Sequence, residues 1–185
     1  MTPIIPDYYL IIDLEATCSN DKSIRSNKME IIEIGAVMLN TSKWEIDSEF
    51  QQFIQPIINP VLTDFCTELT SITQKDINTA PKFPEAISNF QEWLKSFPNY
   101  IFCSWGEYDR RQFRQDCKLH KLENLFSEHI NIKKKFSEYL GTSQAFGMKS
   151  ALDYLGMDLK GRHHRGIDDA RNIAAIYKYM NTNGK

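Results

Sequence analysis

Two carboxylates one residue apart close an apolar run near the start of the chain: Leu10-Ile11-Ile12-Asp13-Leu14-Glu15-Ala16-Thr17-Cys18. Side chains alternate between faces along a strand, so Asp13 and Glu15 share one face. Left unpaired, the two repel each other. A divalent cation removes that penalty, because hard cations take oxygen ligands. The same residues also fit a strand that turns polar as it leaves the core. The stretch alone does not separate the two readings.

Helix phase picks out two further acids. In a helix from Glu107 to Leu119, Asp109 precedes Phe113 by four residues and Cys117 by eight, so it lies on the buried stripe in the first turn. Glu107 is the other acid available there. It lies off the stripe, beside Arg110, Arg111 and Arg114, and the helix dipole accounts for it at ~0.3–1 kcal/mol. Asp109 is not explained that way, since a carboxylate facing a core needs a partner. In a last helix from Asp168 to Met180, Asp169 precedes Ile173 by four and Ile176 by seven and faces inward, while Asp168 reads as the cap. His164 stands five residues before Asp169, in a loop that Gly166 leaves free to turn. An imidazole with an ordinary pKa of about 6.5 beside an inward carboxylate is a candidate base. Glu33 reads as structural, with a site role open, and Lys133-Lys134-Lys135 reads as a solvated face.

The elements that must position these residues follow from periodicity and turn signals. Tyr8 to Asp13, Met29 to Leu39 and Trp44 to Ile54 read as strands joined by short turns, hence an antiparallel meander. Ile31, Glu33, Gly35 and Val37 fall on one face of the second strand, and Ile32, Ile34, Ala36 and Met38 on the other. In the third strand, Trp44, Ile46, Phe50 and Ile54 turn inward only if a bulge shifts the phase. Asn59-Pro60 reads as the cap and first position of a helix. Pro84 to Phe97 is an amphipathic helix, and Tyr100 to Cys103 a strand whose place after it favours parallel pairing. His129 to Ile132 is a short fifth strand. Lys133 to Leu140 and Met148 to Leu155 are helices. The expectation is an α/β fold: a mixed five-stranded sheet, three antiparallel strands then two more, flanked by helices. One domain covers residues 1–185.

Composition sets limits on function. The chain of 185 residues is 42% hydrophobic and 25% charged, which is ordinary globular usage. A net charge of -2 excludes coating nucleic acid by charge alone, so a nucleic-acid partner would need local, metal-assisted contact. Cys18, Cys66, Cys103 and Cys117 form neither a CxxC pair nor a zinc-finger spacing. The segment from Met1 to Asp7 does not read as a signal peptide, and no apolar run reaches the ~18 residues of a membrane span. The expectation is reduced thiols and a cytoplasmic protein with no membrane partner. Nothing in these residues indicates an oligomeric state.

Four acids and a histidine in this order resemble the DEDDh (DnaQ-like) 3′–5′ exonucleases on the RNase H-like fold. Asp13-Leu14-Glu15 resembles their first motif, Asp109 their second, and His164 with Asp169 their third. The flanks are similar to the ERI-1-type histone-mRNA 3′ exonuclease group: Asp13 to Cys18, Glu30-Ile31-Ile32-Glu33, Asp64-Phe65-Cys66 with Leu69 to Thr73, and Gly156-Met157-Asp158. The resemblance runs from about Tyr8 to Met180. It implies two Mg²⁺ or Mn²⁺ ions held by Asp13, Glu15, Asp109 and Asp169, roughly 3.5–4 Å apart in sites of this kind. It implies His164 as the group that takes a proton from the attacking water, and release of a 5′-nucleotide. Leu14, Glu15 and Ala16 would meet the terminal 3′-hydroxyl, and Phe65 and Trp105 are candidate stacking faces. The branch implies RNA in preference to DNA. The alternative is a non-catalytic module that binds 3′ ends or a protein on the same fold, and an endonuclease is a third reading.

Overall fold

The computed structural model describes residues 6–183, so the segment read for a signal peptide lies mostly outside the described residues. The first strand, β1 (Tyr8–Ala16), is central to the sheet. It pairs antiparallel with β2 (Ile31–Asn40), which pairs antiparallel with β3 (Ile46–Phe53). On its other side β1 pairs parallel with β4 (Tyr100–Ser104), and β4 pairs parallel with the short β5 (Ile130–Asn131). The five-stranded order is β3-β2-β1-β4-β5, the mixed sheet expected from the sequence. Between β3 and β4 come α1 (Asp64–Thr70), α2 (Gln74–Asn78) and α3 (Phe83–Leu94). Beyond β4 come α4 (Tyr108–Leu119), α5 (Ile132–Tyr139), α6 (Met148–Leu155) and α7 (Gly166–Thr182).

Both faces of the sheet are covered. One carries α3 and α4, through a core containing Leu10, Ile12, Ile34, Phe83, Phe90, Phe102 and Phe113. The other carries α5, α6 and α7, through Ile11, Val37, Cys103, Phe136, Ile173 and Ile176. Burial on two faces explains why β1 and β2 read as near-continuous apolar runs.

Three local expectations are corrected. Ile31 and Ile32 lie on the faces opposite to those simple alternation assigns. The register slips between Glu15 and Ala16, where Ile31 rather than Ile32 pairs with Ala16. That bulge sends Ile31 to the core of Ile34 and Met38, and Ile32 to a separate cluster with Cys66 and Ile72. The bulge on which the phase of the third strand depends is present, so that expectation stands: the register slips between Met38 and Leu39, and Trp44 and Ile46 pack toward α7 while Phe50 and Ile54 pack toward α3. No helix starts at Pro60. Helix α1 begins at Asp64 with Thr63 as its cap. The preceding N–H groups of Ile57, Ile58 and Asn59 are taken by the Glu30 carboxylate at 2.7–2.8 Å, a long-range contact that no local signal reveals.

The last correction concerns the start of α7, two residues earlier than expected. Asp168 lies inside the helix rather than capping it, accepting from the Arg162 N–H and pairing with Arg171. Glu33 takes the first helical N–H instead: its Oε2 accepts from the Gly166 N–H at 3.0 Å and pairs with Arg165. Its other oxygen accepts from Gln51. Glu33 is therefore structural. Gly166 serves close approach, not a turn. Its own Cβ would lie 2.9 Å from the Asp13 carbonyl oxygen, and a Cβ on Gly35 would lie 2.0 Å from the Gly166 carbonyl carbon. Helix α7 thus begins directly on the backbone of β1 and β2.

Gly35→Ala should destabilise the chain by at least the upper end of the ~1–3 kcal/mol of ordinary overpacking, and Gly166→Ala by less. Urea denaturation midpoints measure both. A Gly35→Ala chain as stable as wild type would mean that the joint is loose.

Candidate functional site

The first strand delivers its two acids at its end. Asp13 pairs with Gly35 and Glu15 with Glu33 across β1 and β2. Past Glu15 the strand is held by Thr17, whose N–H donates to the Glu30 carbonyl while its hydroxyl accepts from the Glu30 N–H. The strand tip cannot swing away from the sheet.

Helix α4 brings Asp109 to that tip. Asp109 is buried, and its Oδ1 accepts from the Leu14 N–H at 3.1 Å, between the two acids of β1. The helix phase expected from Phe113 and Cys117 holds, since both are buried. Glu107 lies elsewhere, paired with Arg110 at 2.8 Å and accepting from Asn131. Two residues not singled out in the sequence set the pose of α4. Asp116 accepts from the Ile31 N–H and from Gln112, and Gln112 also donates to the Met29 carbonyl. Their spacing, three and seven residues after Asp109 on the same buried stripe, is the signal that could have found them.

The loop before α7 delivers the rest. His164 adopts φ 63° and Gly161 φ 77°, so the turn is made there rather than at Gly166. Asp169 Oδ2 accepts from the His164 N–H at 2.9 Å and bonds the ring Nδ1 of His163 at 2.9 Å. The two imidazoles stack with centroids 3.9 Å apart. Sequence reasoning missed His163, because a loop carries no periodicity to rank one histidine over its neighbour. The His164 ring nitrogens have no hydrogen-bond partner among the described residues.

A cleft of about 400 Å³ gathers Asp13, Leu14, Glu15, Ala16, Asp109, His163, His164 and Asp169. Oxygens of Asp13, Glu15 and Asp169 lie within 4.8 Å of one another, and Asp109 lies beside them. Trp105 also lines the cleft. Its ring packs on Phe136 at 5.9 Å and its Nε1 donates to the Phe146 carbonyl, so it is both wall and core. Phe65 is half-buried and outside the cleft lining. Leu69, one turn further along α1, is the residue of that helix that reaches it.

Crowding shows in the acidities. Burial, then the charges of Asp109, Glu15 and Asp169, hold Asp13 well above the usual carboxylate range. Burial and the Asp169, Glu33 and Asp109 charges push Glu15 to about 9. Burial raises Asp109 to about 6 against the opposing Leu14 N–H, and raises Asp169 as well. Burial and the neighbouring His163 lower His164, which keeps its ring neutral near neutrality. The donor set fits a divalent cation. It is all oxygen, it is mutually repulsive, and Asp169 Oδ1 is buried without a hydrogen-bond partner.

The chain matches the Exonuclease (RNase_T) family model over residues 10–177. It is 36% identical to the 3'-5' exoribonuclease 1 of Rattus norvegicus, over 96% of this chain and 54% of that protein. It thus spans about half the length of the relatives it matches. The nuclease domain of 3'hExo, a DEDDh family member solved with rAMP, superposes with a TM-score of 0.90 at 36% identity, covering 98% of this chain and 94% of that one. A 3'-exonuclease solved in 3'-end specific recognition of histone mRNA stem-loop superposes with a TM-score of 0.89 at 34% identity, over 97% and 83%. Among the described residues no helix is long and apolar enough to cross a membrane.

In chelator, the acids hold protons in the folded chain that the unfolded chain releases. Folding stability should therefore fall as pH rises from the ordinary carboxylate range, near 4.5 for Glu15, toward about 9. A divalent cation should raise the melting temperature more at the alkaline end of that window. Melting temperatures measured across it with and without cation test this, and a flat profile in chelator would contradict it.

Proposed function

The chain belongs to the Exonuclease (RNase_T) family, within its DEDDh branch, and we propose from this premise that it is a 3′–5′ exonuclease. It releases 5′-mononucleotides from single-stranded or 3′-overhanging nucleic acid. Membership implies dependence on divalent metal, and we assign two ions, Mg²⁺ or Mn²⁺. The observation that carries the reading is the convergence of three carboxylates within 4.8 Å, one with an orphaned oxygen, beside Asp109 and a histidine ring with no protein partner.

Asp13, Glu15, Asp109 and Asp169 would hold the ions, with Asp169 Oδ1 the free ligand atom because Oδ2 is engaged by His163 and His164. When bound, the ions supply neutralisation of the phosphate charge and a more acidic water. His164, neutral and unpartnered in the cleft, takes the proton of the attacking water. His163 does not share that role, since its Nδ1 is occupied in orienting Asp169. Leu14, Glu15 and Ala16, at the strand tip, meet the terminal 3′-hydroxyl. Trp105 offers a stacking face to the last base. Phe65 would need substrate to extend past Leu69 to reach it. The neighbours solved with rAMP and with a histone mRNA stem-loop favour RNA over DNA as substrate. We place the protein in the cytoplasm and assign residues 1–185 to one exonuclease domain.

A 5′-labelled oligoribonucleotide with Mg²⁺ or Mn²⁺ should shorten one nucleotide at a time. Asp13→Asn and Asp169→Asn should abolish shortening, and His164→Ala should lower kcat by about 10²–10⁴-fold. His163→Ala should instead raise the metal concentration for half-maximal rate by about 10–100-fold. Internal fragments would indicate an endonuclease. Tight binding of 3′ ends with no mononucleotide under either metal would indicate a binding module.

A further inference from the structure

Beside the acidic cleft runs a groove of opposite charge. It lies between the 3₁₀ turn Ser26–Lys28 and the outer face of α4, encloses about 530 Å³, and is lined by Lys28, Arg111, Arg114 and Lys118. Positions 111, 114 and 118 follow helical spacing, so their side chains project from one side of α4. All four cations are exposed, and among the described residues none pairs with a carboxylate. By contrast, the adjacent Arg110 is paired with Glu107. In a chain of net charge -2, four unpaired cations along one wall are a local concentration.

The groove is built. Gln115 donates to the Ser26 and Met29 carbonyls, and Gln112 to the Met29 carbonyl, fastening the turn that carries Lys28 onto α4. It is also continuous with the cleft. Met29 lines both, and a smaller cavity shares Arg111 and Gln115 with the groove and Tyr108 with the cleft. Tyr108, a residue 41% exposed, stands at the junction.

We propose that this groove carries the sugar–phosphate backbone of the nucleic acid on the 5′ side of the nucleotide being removed. The proposal rests on the exonuclease reading of the adjoining cleft. A basic track with an aromatic ring at its mouth is the arrangement by which single strands are held without sequence preference. Helix α4 rises about 1.5 Å per residue, so Tyr108 to Lys118 covers ~15 Å, about four stacked nucleotides at ~3.4 Å each. Two opposite potentials side by side then set direction. The terminus enters the acidic end with its metal, and the chain behind it lies on the basic end.

The test removes Arg111, Arg114 and Lys118 together as alanines, a substitution that favours the helix. The control, Lys133→Ala with Lys134→Ala and Lys135→Ala, changes net charge identically on α5. Binding of a fluorescent single-stranded 12-mer is read by anisotropy in chelator, where no cleavage occurs. Turnover of the 12-mer and of a dinucleotide is read with Mg²⁺. The groove variant should flatten the slope of log affinity against log salt by about 2, from ~0.7 per lost phosphate contact. That corresponds to loss of the roughly twenty-fold fall in affinity that those contacts produce between about 50 and 200 mM salt. Its KM for the 12-mer should rise, with dinucleotide turnover unchanged. Unchanged binding, or an equal loss in the control, would overturn the proposal and leave an acidic protein surface as the groove's occupant. Absence of turnover in every chain would sink the exonuclease reading, while the anisotropy would still decide the groove.

Discussion

Mutual repulsion of carboxylates is the constraint on which this molecule is arranged. Asp13, Glu15, Asp109 and Asp169 come from the central strand and two helices, yet they end in one cleft, with Glu33 behind them. Burial makes Asp13, Glu15, Asp109 and Asp169 weaker acids, and the charges of neighbouring carboxylates add to the effect at Asp13, Glu15 and Asp109. Chains do not collect buried charge of one sign without a counterpart. Part of the counterpart is internal. Asp109 takes a backbone N–H of β1, Asp169 takes two donors from the loop before α7, and Glu33 takes the start of α7 and Arg165. The remainder is left for a ligand, which is why the orphaned Asp169 oxygen is informative.

The supporting contacts are long-range and polar. Glu30 gathers three N–H groups of the segment before α1, and Asp116 ties α4 to β2. Both acids lie just outside the cleft. They hold the loop and helix that flank it, so the same residue type serves as ligand inside the cleft and as fastener around it. Burial raises Asp116 to about 7, so its hydrogen bonds to Ile31 and Gln112 operate near its own titration.

Much of the site could be read from residue order because helices and strands carry a phase. Asp13 and Glu15 followed from a period of two, and Asp109 and Asp169 from their spacing to Phe113 and Ile173. The strand order followed from short turns on one side and an intervening helix on the other. What could not be read lay where phase fails or contacts are remote. The bulge at Ile32 inverts alternation over two residues. Asn59-Pro60 carries a real capping signal, overridden because the Leu62 N–H that a cap would take donates to Gln74 and the Asn59 side chain donates to the Lys28 carbonyl. His163 and His164 sit in a turn, where only coordinates show which ring faces Asp169. The α4 cations could be read as a basic surface, but their groove depends on Gln112 and Gln115 reaching across to the Ser26–Lys28 turn.

The meeting of Gly35 and Gly166 bears on how the cleft accommodates an occupant. Where helix and sheet touch through side chains, rotamers can exchange and the two layers can breathe against each other. Here main chain rests on main chain, at a distance that no added carbon atom fits. The joint has no slack, and it lies directly beneath Asp13 and only three residues before Asp169. Adaptation to an incoming molecule must therefore come from the peripheral walls, the His163-His164 turn and the Tyr108 ring, around a hub that behaves as a fixed anvil.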